Sequence, residues 1–268
     1  MRLRILHRNA HRYGPPAAGV IQVLRLTPRN HEGQHVVRWR IDVSADARLA
    51  AHEDAFGNFT HVFSADGPLS ELSVEVDGEI ETQSTNGVVR GTVERFSPSL
   101  FLRDTPLTQA DAAIRVFAQD VRNAAGGDVL AQLHALLDRL YEDMAHVGDD
   151  PDGAVSAAEA FARKRGLPRD LSHIFIGAAH SLGIPARYVA GYYGADDAAA
   201  APAAGHAWAE ASVPGLGWVA FDPAHGCCPT DAHVRVAIGL DWLGASPVRG
   251  MRYGPGSETL ETAIKVDQ

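Results

Sequence analysis

Lysine is almost absent from this chain, with Lys164 and Lys265 the only two among 268 residues. The remaining basic side chains are arginines, and acids outnumber bases by 33 to 24 for a formal charge of −9. No run of Lys or Arg is long enough to track a phosphate backbone, so no nucleic-acid partner is expected. Long apolar runs are missing too. No stretch approaches the roughly 20 apolar residues that cross a bilayer. The opening segment MRLRILHRNAHRYGPP interleaves charge with apolar residues and has no apolar stretch followed by a small-residue cleavage site. No membrane partner is therefore expected, and the cytoplasm is the expected compartment. Cysteine is scarce: Cys227 and Cys228 are neighbours, a geometry unsuited to an ordinary structural disulfide and consistent with a reducing environment.

What is present suffices for a sizeable core. Hydrophobic residues make up 46% of the chain, enough for one large domain or two ordinary ones. Residues 1–83 read as β-structure, because alternating runs such as VVRWRIDV (Val36 to Val43) and LSVEVDGEIE (Leu72 to Glu81) are separated by turn residues. Between them DAFGN, Asp54 to Asn58, has the Gly-Asn content of a tight reversal between antiparallel strands. A sandwich-like N-terminal β domain is expected here. Residues 84–108 show no sustained period and read as a connection.

Helical periodicity begins after that. Asp128 is placed to cap a helix whose Val129, Leu133, Leu136, Leu137, Leu140 and Met144 share one face. Ser156 followed by Glu159 has the form of a capping box opening a short second helix. A third helix runs through RDLSHIFIGAAHS, with Leu171, Ile174, Phe175, Ala178, Ala179 and Leu182 forming a buried stripe. Gly183 and Pro185 stop it. Pro168 suits its first turn, where the amide hydrogens lack intrahelical partners in any case.

Beyond this helix the strand ARYVAGYY leads into a low-complexity loop, Gly194 to Gly205, and then two further strands, HAWAEASV and GWVAF. Alternation puts His206, Trp208 and Glu210 on one face, with Asp222 closing its strand.

The motifs DLSHIFIGAAHSLGIPARYVAGY, GHAWAE, GWVAFDPAHG and PTDAHVRVAIGLDW resemble the bacterial transglutaminase-like family, a papain-like Cys-His-Asp group. HRY, LRLTPR and EDAFGN resemble that family's N-terminal region, so the likeness covers essentially the whole chain. It implies an α+β protein: an N-terminal β-rich, sandwich-like domain over residues 1–83, a connection over 84–108, and a papain-like core of helices on an antiparallel sheet over 109–268. In the family a cysteine at a helix N-terminus attacks an amide or ester carbonyl, a histidine takes its proton, and an aspartate orients the imidazole. The resemblance assigns the last two roles to His206 and Asp222. A helix N-terminus and a nearby imidazolium both favour the reactive thiolate.

The departure is at the nucleophile. Where the family has GVCQDL-like motifs this chain has GLPRDL, putting Pro168 at the nucleophile position and Arg169 after it. Proline has no proton to give, no side-chain lone pair and no backbone N–H for an oxyanion. The expectation is therefore a catalytically silent member that keeps a cleft for a peptide, an amide-containing ligand or a protein partner, with Arg169 and Trp208 as cleft candidates. The rival expectation is an active amide hydrolase or acyltransferase that uses Cys227 or Cys228. Ser172, one turn after Pro168, reads as the donor of a local hydrogen bond. His173, His180, His206, His225 and His233 accompany the two cysteines, but no C-x-x-C or H-E-x-x-H spacing appears, so no metal is expected and metal binding stands as a minor alternative; no cofactor is expected either.

Overall fold

The computed structural model describes residues 1–147, 155–194 and 205–268. Most of the loop between Gly194 and Gly205 lies outside the described residues. In chain order the first strands are β1 (Arg2–Thr27), β2 (Gln34–Val43), β3 (Ala50–Glu53), β4 (Phe59–Thr82) and β5 (Val88–Val89). A 3-10 turn, Pro98–Leu102, leads to α1 (Ala112–Ala125), α2 (Val129–Asp143), β6 (Ala145–His146), α3 (Ala157–Arg163), β7 (Arg165–Gly166) and α4 (Pro168–Ser181). The chain continues through β8 (Ala186–Tyr193), β9 (His206–Val213), β10 (Gly217–Phe221), β11 (His233–Gly239), α5 (Trp242–Ala245), β12 (Val248–Tyr253) and β13 (Ser257–Asp267).

The first sheet is built on β1 and β4, which pair antiparallel from Arg2↔Glu81 to Thr27↔Phe59. Alternating residues of both strands are buried, as the period of a one-sided strand requires. The register shifts twice between Arg12 and Gly19, and the sheet turns there. Gly67 permits the close approach: a Cβ on it would lie 2.2 Å from the Ala17 carbonyl oxygen. Val20, Leu24 and Phe63 from one half of the pair join Leu72, Val74 and Val76 from the other in a single apolar cluster. One bent sheet thus supplies both walls of the expected sandwich-like core. The DAFGN reversal forms between β3 and β4, with Asp54 Oδ1 accepting from the backbone N–H groups of Phe56 and Asn58 at 3.0 Å each.

The C-terminal strands depart from the expected organisation. The sequence reading assigns all of 109–268 to the core, whereas β12 and β13 hydrogen-bond to β1 as strands of the first sheet. Edge pairing is the physical reason. The exposed flank of β1 offers unpaired backbone groups, and residues 257–267 satisfy eleven consecutive register positions there.

The second sheet has the order β11-β8-β9-β10-β5 and is antiparallel throughout. Against it packs α4, seated over the small side chains Ala207, Ala209 and Ala211, with Phe175 stacked on Phe221 at 5.2 Å between centroids. The caps foreseen in the sequence are made: Asp128 accepts from Leu130 N–H at 3.0 Å, and Ser156 with Glu159 forms a reciprocal capping box. The expected single stripe on α4 is replaced by burial all round, because every residue from Leu171 to Ala179 is buried. The sheet covers one side and α1 and α3 cover others. At Gly177 the Thr108 carbonyl oxygen comes within 2.4 Å of where a Cβ would stand.

Candidate active-site cleft

The N-terminus of α4 is held without a capping side chain at its N-cap, Leu167. Asp170, fully buried, reaches back instead, and its Oδ2 accepts the Leu167 N–H at 3.0 Å. Pro168 follows as the first helical residue, where its fixed φ suits the turn. Ser172 donates its hydroxyl to the Pro168 carbonyl at 2.7 Å, the local bond expected of it. Arg169 sits 3.3 Å from Asp170 Oδ1, with its guanidinium 5.0 Å from the Trp242 ring centroid.

His206 opens β9 and Asp222 follows β10, sixteen residues later, yet His206 Nε2 lies 2.6 Å from Asp222 Oδ2. Two further imidazoles converge on that same oxygen: His225 Nδ1 at 2.7 Å and His233 Nε2 at 3.1 Å. Asp222 Oδ1 accepts the Ala224 N–H at 3.0 Å. Burial would raise the Asp222 carboxyl, but the interaction with His206 and the hydrogen bonds from all three histidines outweigh it and hold it well below the ordinary range. The tautomer of His233 is set from outside the cluster. Thr230 N–H donates to its Nδ1 at 3.0 Å, so the proton sits on Nε2 and points at Asp222. Tyr193 packs its ring 4.2 Å from His225 and 4.7 Å from His233.

Farther along the same face of β9, Glu210 is completely buried between two guanidinium groups. Arg187 Nε donates to its Oε2 and Arg235 Nε to its Oε1, both at 2.7 Å. Arg187 is closed on its other side by a bidentate pair with Glu94 at 2.6 and 2.9 Å and lies 3.9 Å over the Trp218 ring. Burial pushes the Glu210 carboxyl up, but Arg235 and Arg187 overcome this and bring it down to about 2. Trp208 lies between His206 and Glu210 along β9. Its ring occupies the space over Gly191, where a Cβ would stand 2.6 Å from it.

Pro168 and His206 line one cavity of about 230 Å³, together with Leu167, Arg169, Tyr188 and Trp242. The other wall comes from the first sheet through His7, Asn9, Arg25, Leu260, Thr262 and Ile264. These residues went unnoticed in the sequence, although the alternation of Leu260, Thr262, Ile264 and Val266 is a strand signal. Arg169 is among the lining residues. Trp208 is not: only 2% exposed, it is packed with Val189, Trp218 and Ile238, two residues along β9 from His206, which opens the strand and does line the cavity. Neither cysteine lines the cavity. Burial and the nearby Asp222 charge push the Cys227 thiol up to about 11, and burial raises Cys228 as well.

Comparison with known proteins agrees with this architecture. Residues 3–81 match the bacterial transglutaminase-like N-terminal region, and residues 115–223 match the transglutaminase-like superfamily. Within these two matched segments the chain is transglutaminase-like. Among proteins similar to this transglutaminase-like chain, an uncharacterized protein of Mycobacterium leprae is 25% identical over 279 residues, covering 99% of this chain and 98% of its own length. An uncharacterized protein of Mycobacterium tuberculosis is 24% identical over 290 residues, covering 99% and 92%. In fold, the "Putative Cysteine Protease" from Cytophaga hutchinsonii is similar with a TM-score of 0.77 at 18% identity, covering all of this chain and 90% of that one. Among the described residues no helix is long and apolar enough to cross a membrane.

The histidines considered in the sequence separate into two groups. His173 Nε2 accepts the Trp242 N–H at 3.0 Å, and His180 bridges Asp104 and the Ala186 carbonyl; both serve packing. His206, His225 and His233 instead gather on Asp222, with one donor atom from each of the four residues within 4.8 Å of the others. The absence of a recognised metal spacing did not foresee this cluster. It is assembled from a strand start, a turn and a neighbouring strand, which no local motif links.

Proposed function

We propose that this transglutaminase-like protein is catalytically silent in acyl transfer and keeps its cleft to bind a peptide, an amide-containing ligand or a protein partner. The observation that carries this reading is Pro168 at the head of α4, sharing a cavity with His206 where the family's chemistry calls for a thiol. An imidazole oriented by a carboxylate is a competent proton acceptor. With proline opposite, it has no proton to take and no nucleophile to activate. The mixed lining, with apolar Tyr188, Trp242 and Ile264 beside Arg25 and Arg169, suits a ligand that carries polar groups on an apolar body.

The rival reading, a displaced nucleophile at Cys227 or Cys228, is weakened by chemistry. A thiol whose pKa is raised carries little thiolate near neutrality, and both thiols here are raised. The deciding experiment compares purified wild type with Pro168→Cys and with Pro168→Cys/Arg169→Gln. Wild type is expected to show no amidase or acyl-transfer turnover, and the double variant to become covalently labelled by a thiol-directed acylating probe. Turnover by wild type that disappears in His206→Ala would overturn the proposal.

A further inference from the structure

We propose that Asp222, His206 and His225 form a binding site for one divalent transition-metal ion of borderline softness, such as Zn²⁺ or Co²⁺. The inference shares His206 and Asp222 with the cleft described above but does not rest on that cleft being silent in acyl transfer. Two imidazole nitrogens and a carboxylate oxygen are the ligand types that zinc and its neighbours take. Here His206 Nε2 and His225 Nδ1 lie 2.6 and 2.7 Å from Asp222 Oδ2. Around an ion with bonds of about 2.0–2.1 Å, tetrahedral donors stand roughly 3.3 Å apart. Those two separations would widen by about 0.6–0.7 Å, and the two imidazole donors already lie within 4.8 Å of each other. Each would give up the proton it shares with Asp222 to its other ring nitrogen or to solvent as the ion binds.

His233 is excluded from the ligand set by its hydrogen bonding. Its Nδ1 lone pair is occupied by the Thr230 N–H, so its Nε2 carries a proton and cannot coordinate while that bond persists. It acts as a positioning residue that donates to Asp222 at 3.1 Å, the outer partner that a ligating carboxylate commonly has. The turn carrying two of the three donors is also built to hold them. Asp222 N–H donates to the Cys227 carbonyl at 2.8 Å, and Ala224 N–H to Asp222 Oδ1 at 3.0 Å. Gly226 takes a φ of +61°. A Cβ there would stand 2.6 Å from the Tyr141 ring. The Tyr193 ring packs tilted against His225, with ring centroids 4.2 Å apart. Three protein donors leave further coordination positions for solvent or a ligand carbonyl.

The test uses the untagged full chain, stripped with chelator and titrated with Co²⁺, read by the visible d–d bands of the bound ion. Saturation at one ion per chain with displacement by Zn²⁺ is expected. His225→Asn, at a partly exposed position, should weaken binding about a hundredfold. His233→Asn should weaken it by about tenfold, the scale of an outer-shell loss, and His180→Asn, far from the turn, not at all. Circular dichroism checks that each variant is folded. X-ray absorption of the wild-type Co²⁺ complex supplies a reading independent of any variant, with two imidazole ligands expected. Absence of stoichiometric binding, an affinity unchanged in His225→Asn, or a spectrum without imidazole would each overturn the proposal.

Discussion

Two buried carboxylates near one strand are held by opposite kinds of partner. Glu210 sits between Arg187 and Arg235, whose guanidinium groups keep their charge at every accessible pH. Asp222 sits among His206, His225 and His233, imidazoles whose ring nitrogens can donate or accept a hydrogen bond. Both carboxyls are held low, but for different ends. The guanidinium pocket fixes the sheet as a permanent ion network. The imidazole pocket surrounds a charged carboxylate with groups that can donate or accept, as a ligand-binding centre does.

Removing charge from the first pocket should have the larger effect. Glu210→Gln leaves two guanidiniums without their buried counter-charge and is expected to cost about 3–5 kcal/mol, read from urea unfolding at neutral pH. A loss below about 1 kcal/mol would erase the distinction. Asp222→Asn keeps an oxygen that can accept from one imidazole, so about 1.5–3 kcal/mol is expected, the range for hydrogen bonds to a charged group. If that substitution proved more damaging than Glu210→Gln, the imidazole cluster would be the stronger structural tie.

The subtlest difference is in pH. The folded-state pKa of Glu210, about 2, lies below its ordinary 4.5, so its contribution is fully present above about 4.5 and declines as pH falls toward 2. The stability gap between wild type and Glu210→Gln should therefore stay flat from about pH 8 to 5 and close below that. His233 behaves otherwise. Burial lowers its pKa from 6.5, so the unfolded chain takes up that proton first and stability falls as pH drops below about 6.5. Unfolding midpoints across this window should decline less steeply in His233→Gln than in wild type. Equal slopes would remove His233 from the account.

Much of the local structure was legible because its causes lie within one helical turn or one reversal. Asp128, the Ser156–Glu159 box and the stop at Gly183 are each explained by hydrogen bonds or dihedrals spanning a few residues. Pro168 at the start of its helix and the backbone bond of Ser172 follow the same rule. His206 and Asp222 were legible for another reason, since GHAWAE and FDP match a family pattern, and the structure brings the two side chains to 2.6 Å. The placement of Trp208 was not legible, because alternation puts it on the same face as His206 but does not tell how far along that face the cavity extends.

The sequence by itself therefore determined the caps, the turns, the alternating strands, the proline at the head of α4 and the pairing of one histidine with one aspartate. Only the tertiary structure decided that β13 returns to β1 across more than two hundred residues, that α4 is covered on every side, and that His225 and His233 crowd onto Asp222. The physical reason is range. Capping and turn energies are settled between near neighbours, whereas edge pairing and the convergence of side chains from separate elements depend on how complete faces pack once the chain has closed its long loops.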